Sequence, residues 1–157
     1  MGVEIERKFL VRSDAWREAA DAGTVMKQGY FVTAPGTTVR VRIAGAHAFL
    51  TIKGMGNGVA RSEFEYEIPV PDAEAMLTEF CTGRLVEKIR YIVRHAGNEW
   101  EVDDFTGDNA GLVMAELELE SEDQRFPSPE WLGEEVSGNP AYGNGSLAIR
   151  PYGGWTR

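Results

Sequence analysis

Thiol and imidazole groups are scarce in this chain: one cysteine, Cys81, and two histidines, His47 and His95, among 157 residues. A lone cysteine forms no internal disulfide, which points to a reducing compartment. Zinc sites draw on clustered Cys and His, so the same scarcity argues against zinc. Long apolar runs are missing as well. No segment reaches membrane-spanning length and no apolar stretch follows a basic start, so the expectation is a cytoplasmic protein without a membrane partner. Positive charge is in deficit, with 16 Lys and Arg against 25 Asp and Glu and a formal net charge of -9. That balance argues against general nucleic-acid binding, which relies on phosphate neutralisation. No linker, low-complexity tract or internal repeat divides the chain, so residues 1–157 read as a single domain. The glycine-rich stretch 54–58 lacks the GxxxxGK[ST] pattern and reads as a hairpin loop.

What the sequence has in quantity is alternation. Period-two patterns predict strands over 3–11, 24–33, 37–44, 48–54, 61–69, 85–95, 99–105 and 112–120, separated by turn residues such as Pro35-Gly36 and Gly97-Asn98. Ser13 and Asp14 precede a predicted helix over 15–22, and Pro71-Asp72 opens another over 73–81. A short third helix is expected near 146–149. Eight strands with a few helices suggest a mainly β (α+β) fold, an eight-stranded antiparallel sheet closed into a barrel, because closure removes exposed edges.

Small barrels usually fill with apolar side chains, yet here one phase of nearly every strand is charged. The first strand aligns Glu4, Glu6 and Lys8, and TTVRVRI aligns Arg40 and Arg42. Thr51 and Lys53 share a face, as do Arg61, Glu63, Glu65 and Glu67. Lys88 and Arg90 form another pair, Glu101 lies in phase with Asp103, and Glu116, Glu118 and Glu120 line up. A solvated face explains any single strand, but it does not explain why cations and carboxylates are sorted onto different strands. A lined tunnel does. Its clustered cations would repel one another unless an anion sits between them, and Arg matches phosphate oxygens with a planar fork. The carboxylates Glu4, Glu6, Glu116 and Glu118 are hard donors suited to Mg²⁺ or Mn²⁺. The two sets together describe a metal-bridged polyphosphate.

EIERKFLV, with its ExExK pattern, resembles the signature strand of the CYTH superfamily, the triphosphate tunnel metalloenzymes. The likeness continues in order through MKQGYF, Arg40-x-Arg42, Thr51-x-Lys53, Arg61-x-Glu63-x-Glu65, Lys88-x-Arg90, Asp103 and Glu116-x-Glu118. It spans residues 2–150 and is nearest to the small bacterial inorganic triphosphatases. The resemblance implies an eight-stranded β-tunnel, within a single CYTH domain, that hydrolyses inorganic triphosphate with a divalent cation. Glu4, Glu6, Asp103, Glu116 and Glu118 would be metal ligands. Lys8, Arg40, Arg42, Lys53, Arg61, Lys88 and Arg90 would bind triphosphate, and Lys8 with Tyr30 would activate water. Physically, a neighbouring Lys⁺ favours the phenolate, while Tyr30 orienting Lys8, or packing as an ordinary aromatic, are the alternatives.

Glu63 and Glu65 would hold a second metal or support the basic lining through salt bridges. Glu120 lies toward a tunnel mouth. His47 reads as a turn residue, Trp16, Trp100, Trp131 and Trp155 as packing or surface aromatics, and Arg7 as outward-facing and dispensable. Asn144, in the Tyr142-x-Asn144 element, is expected to cap the last helix. A class IV-type adenylyl cyclase, a nucleotide or thiamine triphosphatase, and a non-catalytic triphosphate or polyphosphate binder are the rival readings. The partner in each is a free inorganic or organic triphosphate, and the protein is expected as a monomer or homodimer.

Overall fold

The computed structural model describes residues 2–57 and 59–156, so Gly58 of the glycine-rich stretch lies outside the described residues. Eight strands form the barrel: β1 (Gly2–Val11), β2 (Thr24–Tyr30), β3 (Thr38–Ala44), β4 (His47–Lys53), β5 (Ala60–Ile68), β6 (Leu85–His95), β7 (Asn98–Thr106) and β8 (Val113–Glu118). Their order is β5-β4-β3-β2-β6-β7-β8-β1, and a further β1–β5 pairing closes the ring. Every neighbouring pair is antiparallel. The predicted closed eight-stranded barrel is therefore the observed one, with β2 ending earlier, at Tyr30.

A strand absent from the sequence reading, β9 (Leu132–Glu135), joins β1 at Phe9 and Val11. Four residues carry too little alternation to signal a strand. The pairing also needs a close approach, because a Cβ at Gly133 would lie 2.9 Å from the Leu10 carbonyl oxygen. Among the described residues there are two α-helices, α1 (Val70–Phe80) and α2 (Asn144–Ile149). The helix expected over 15–22 is instead a 3-10 turn, Ala15–Ala19. It stops where Ala20 bridges to Val93.

Alternation places the apolar phase outside the barrel wall. Trp16, Val93, Trp100, Val102, Ala115, Leu117, Trp131 and Leu132 form one outer cluster beneath the 3-10 turn and β9. On another side, α1 sets Ala73 and Leu77 against Val41 and Ala48. Gly29 makes that seat possible: a Cβ there would lie 2.6 Å from the Cβ of Cys81 and 2.7 Å from Leu77. Inside, one end is apolar. Tyr30, Val86, Phe105 and Met114 share the inward phase of their strands and pack on Leu147 and Ala148 of α2. The tail thus fills one end of the barrel, and the charged phase is left lining the rest.

Candidate active site

Inside the barrel is a cavity of about 680 Å³, lined by seven basic and seven acidic side chains together with the tail around Ser137–Asn139 and Gly143–Ser146. All seven predicted cations reach it. Lys8 comes from β1, Arg40 and Arg42 from β3, Lys53 from β4, Arg61 from β5, and Lys88 and Arg90 from β6. Glu4, Glu6, Glu116 and Glu118 line it as well, as do Glu63 and Glu65. Glu101, in phase with Asp103, is a lining residue to which the sequence reading assigned no role.

Most charges are already matched. Lys53 Nζ donates to both oxygens of Glu4, at 3.1 and 2.9 Å, and Arg61 Nε adds a third bond at 3.2 Å. Burial pushes the Glu4 carboxyl up, but Lys53 and Arg61 together outweigh it and hold it at about 2. Arg40 reaches Thr51 Oγ1 at 3.2 Å and Glu65 at 3.3 Å, while the Thr51 hydroxyl donates to Glu65 at 2.6 Å. Glu63 lies 3.5 Å from Lys53. Both carboxylates are therefore engaged with the basic lining, in keeping with the support role.

Asp103 is matched by two cations. It is fully buried, and its Oδ1 and Oδ2 accept from Arg90 Nε and Nη2 at 2.7 and 2.9 Å. Lys88 Nζ lies 2.7 Å from the same Oδ2. Burial opposes its charge, yet the two cations hold the Asp103 carboxyl far below its usual range. Both oxygens are thus committed to cations, and Asp103 is not among the residues lining the cavity. Its side chain holds both Arg90 and Lys88. Burial, with Arg90 and Arg42 nearby, pushes the Lys88 ammonium down to about 7 against the pull of Asp103.

Two places are matched least well. Arg42 is the one lining cation without a carboxylate within ion-pair distance among the described residues. Its Nε donates to Gln28 Oε1 at 2.8 Å. Burial, then Arg40 and Arg90, pull its guanidinium down to about 10. Glu6 is the converse case. It lies opposite Glu118 across the β1–β8 ladder, and its nearest cation, Lys8, is 3.8 Å away. Burial and then Glu116 raise the Glu6 carboxyl to about 7. Glu118 forms no ion pair among the described residues.

Tyr30 and Lys8 both line the cavity, but among the described residues no hydrogen bond joins them. Tyr30 Oη accepts from Gln28 Nε2 at 2.7 Å instead. Nor does Asn144 cap α2 with its side chain: the capping position is Gly143, and Asn144 is the first helical residue. Its Oδ1 turns inward to accept from Lys88 Nζ at 2.8 Å and Gln28 Nε2 at 3.2 Å. Gln28 and Asn144 went unread as site residues because neither carries charge. The available signal was phase, since Gln28 precedes Tyr30 by two on β2. Arg7 points outward as expected, but it is not idle. It binds Glu135 through Nε at 2.8 Å and Nη2 at 2.5 Å. Glu135 in turn accepts from Ser137, whose Oγ receives the Lys8 backbone N–H at 2.9 Å.

A CYTH-domain family model matches residues 2–152. The chain belongs to the CYTH family. Over 152 residues it is 45% identical to an inorganic triphosphatase of Acetivibrio thermocellus, covering 97% of both chains. It is 39% identical over 150 residues to an inorganic triphosphatase of Nitrosomonas europaea, covering 93% of this chain and 97% of that one. A crystal structure of an inorganic triphosphatase superposes with a TM-score of 0.66 at 36% identity, covering 93% of this chain and 94% of that one. A Pyrococcus horikoshii protein shares the fold alone, with a TM-score of 0.60 at 19% identity over 76% of this chain and 81% of its own. The CYTH barrel is thus what sets the basic strands β3, β4 and β6 around one cavity with the acidic pair β1 and β8.

Proposed function

We propose that this protein is a divalent-metal-dependent triphosphatase that hydrolyses inorganic triphosphate to pyrophosphate and phosphate. The observation that carries the reading is a matched deficit in one cavity: among the described residues Arg42 has no carboxylate partner, Glu118 has no cation, and Glu6 has only Lys8 at 3.8 Å. A phosphate chain carrying a divalent ion supplies both. The inorganic triphosphatases at 45% and 39% identity support the same substrate class. Tyr30 is the one aromatic ring on the cavity wall among the described residues, which leaves little for an adenine or thiamine ring to stack on.

In this reading Arg40, Arg42, Lys53, Arg61, Lys88 and Arg90 bind the phosphate oxygens and spread their charge in the transition state. Asp103 holds Arg90 and Lys88 in place, as its bonds to both support. The donor set for a metal is all oxygen and fits Mg²⁺ or Mn²⁺. Among the described residues no three carboxylates form a ready cage, so Glu6, Glu116 and Glu118, with Glu4 beside them, would hold the ion jointly with phosphate oxygens. Bound there, it would neutralise charge on those oxygens. Water attacks a terminal phosphorus, the bridging P–O bond breaks, and pyrophosphate leaves. Lys8, next to Glu6 and facing the cavity, orients the water, and the Tyr30 hydroxyl supports it from the apolar end. The same reading takes residues 1–157 as one CYTH domain, a cytoplasmic monomer or homodimer acting on a free triphosphate without nucleic acid or membrane.

The test is turnover of tripolyphosphate, ATP and thiamine triphosphate with Mg²⁺ or Mn²⁺, following phosphate, pyrophosphate and cyclic AMP. Phosphate and pyrophosphate from tripolyphosphate are expected at the highest kcat/KM. Cyclic AMP from ATP would overturn hydrolysis in favour of cyclisation, and tight binding without turnover would leave a binder. Lys8→Ala should lower kcat by roughly 10²-fold with a much smaller rise in KM.

A further inference from the structure

The amides of Gln28 and Asn144 form a chain whose direction is fixed from one end. Arg42 Nε can only donate, so the Gln28 atom that meets it at 2.8 Å is the acceptor Oε1. Gln28 Nε2 therefore faces the other way, toward Tyr30 Oη at 2.7 Å and Asn144 at 3.2 Å. The Asn144 atom receiving it must be Oδ1, which also takes Lys88 Nζ at 2.8 Å. With Oδ1 held by two donors, the Asn144 amide cannot flip. Its Nδ2 has no partner among the described residues, is not sealed from solvent, and belongs to a residue on the cavity wall.

We infer that Asn144 is a substrate-contacting residue, offering its side-chain N–H groups to phosphate oxygens, with Gln28 as the positioning residue that keeps them turned to the tunnel. The inference rests on the triphosphate reading above and deepens it. The lysine ammoniums act as point charges that accept many geometries, whereas a locked neutral donor rewards a phosphate oxygen at one position. It also makes the tail part of the binding site, because Asn144 arrives on α2 and not on a barrel strand. The Tyr30 hydroxyl is oriented by the same chain: its oxygen already accepts from Gln28, so its hydrogen is directed elsewhere.

Binding of tripolyphosphate is measured by calorimetry with EDTA present, so that turnover does not interfere. Asn144→Ala should raise Kd roughly tenfold, the value of one hydrogen bond to a charged group. Asn144→Asp, which keeps Oδ1 and replaces the donor by a carboxylate oxygen, should raise it further. Gln28→Met should weaken binding in the wild-type background and much less in the Asn144→Ala background, because its effect through Asn144 is then gone. In wild-type protein the Asn144 side-chain amide resonances should shift on adding tripolyphosphate, a readout independent of whether any variant folds. Unchanged Kd in both Asn144 variants, or unmoved amide resonances while wild type binds, would overturn the assignment of Asn144 alone. If wild type neither binds nor hydrolyses tripolyphosphate, the triphosphate reading falls and takes this one with it.

Discussion

The two halves of β1 place the same residue type in opposite circumstances. The first half pairs with β5, where Glu4 lies opposite Arg61 and takes three bonds from Lys53 and Arg61. The second half pairs with β8, where Glu6 faces Glu118 and Lys8 faces Glu116. Both carboxylates are largely buried and only two residues apart, yet Glu4 is held at about 2 and Glu6 is raised to about 7. Burial pushes both upward, so the neighbouring charges decide the difference: Lys53 and Arg61 pull Glu4 down, while Glu116 pushes Glu6 up. One half is electrically closed and holds the barrel together. The other carries the carboxylates proposed above to receive a metal ion.

The largest expected effect comes from the open half. Glu116→Gln should lower turnover of tripolyphosphate roughly 10²- to 10³-fold and raise the metal concentration needed for half-activity. Unchanged metal dependence would remove β8 from the metal side of the comparison.

Next, stability in metal-free buffer at pH 8 should move in opposite directions for the two glutamates. Glu4→Gln leaves Lys53 and Arg61 short of a charge in a buried site, at a loss of about 3 kcal/mol. Glu6→Gln removes a buried charge beside Glu116, at a gain of about 2 kcal/mol. Urea unfolding measures both, and shifts of the same sign would break the contrast.

The pH dependence sharpens it. Glu6 has a raised folded pKa, so the native state binds more protons than the unfolded chain between the ordinary Glu value and about 7, and stability falls as pH rises through that window. Glu4 has a depressed one, so its contribution is present above the ordinary value and is lost as pH falls toward 2. In metal-free protein Glu6→Gln should flatten the neutral limb and Glu4→Gln the acid limb. Interchanged limbs would reverse the assignment.

The smallest effect is expected on the outer face. Arg7→Ala breaks a partly exposed pair with Glu135, at about 1 kcal/mol or less. Its kcat should fall modestly, because Glu135 and Ser137 help hold the Lys8 backbone. A rate equal to wild type would make Arg7 dispensable, as its outward phase suggests.

How far the site could be read in advance differs residue by residue. Arg40, Arg42, Lys88 and Arg90 were legible as a basic lining because strand alternation sends residues two apart to one face. β9 was not, since four residues give almost no period and its pairing relies on the bare backbone of Gly133. The helix expected over 15–22 failed because the bridge from Ala20 to Val93 takes the chain out of the helix. Asp103 was legible as an inward carboxylate, but not as one committed to Arg90 and Lys88.

Composition and alternation alone determined the barrel, the inward charge and the sorting of signs among strands, because these follow from the local geometry of an extended chain. Tertiary structure decided which charges find each other. Register set Glu4 against Arg61 and Glu6 against Glu118, and packing of α2 into one end brought Asn144 to Lys88 and Gln28 from more than fifty residues away in sequence. Electrostatic energy depends on distances of a few ångströms across strands, and no distance along the chain encodes those.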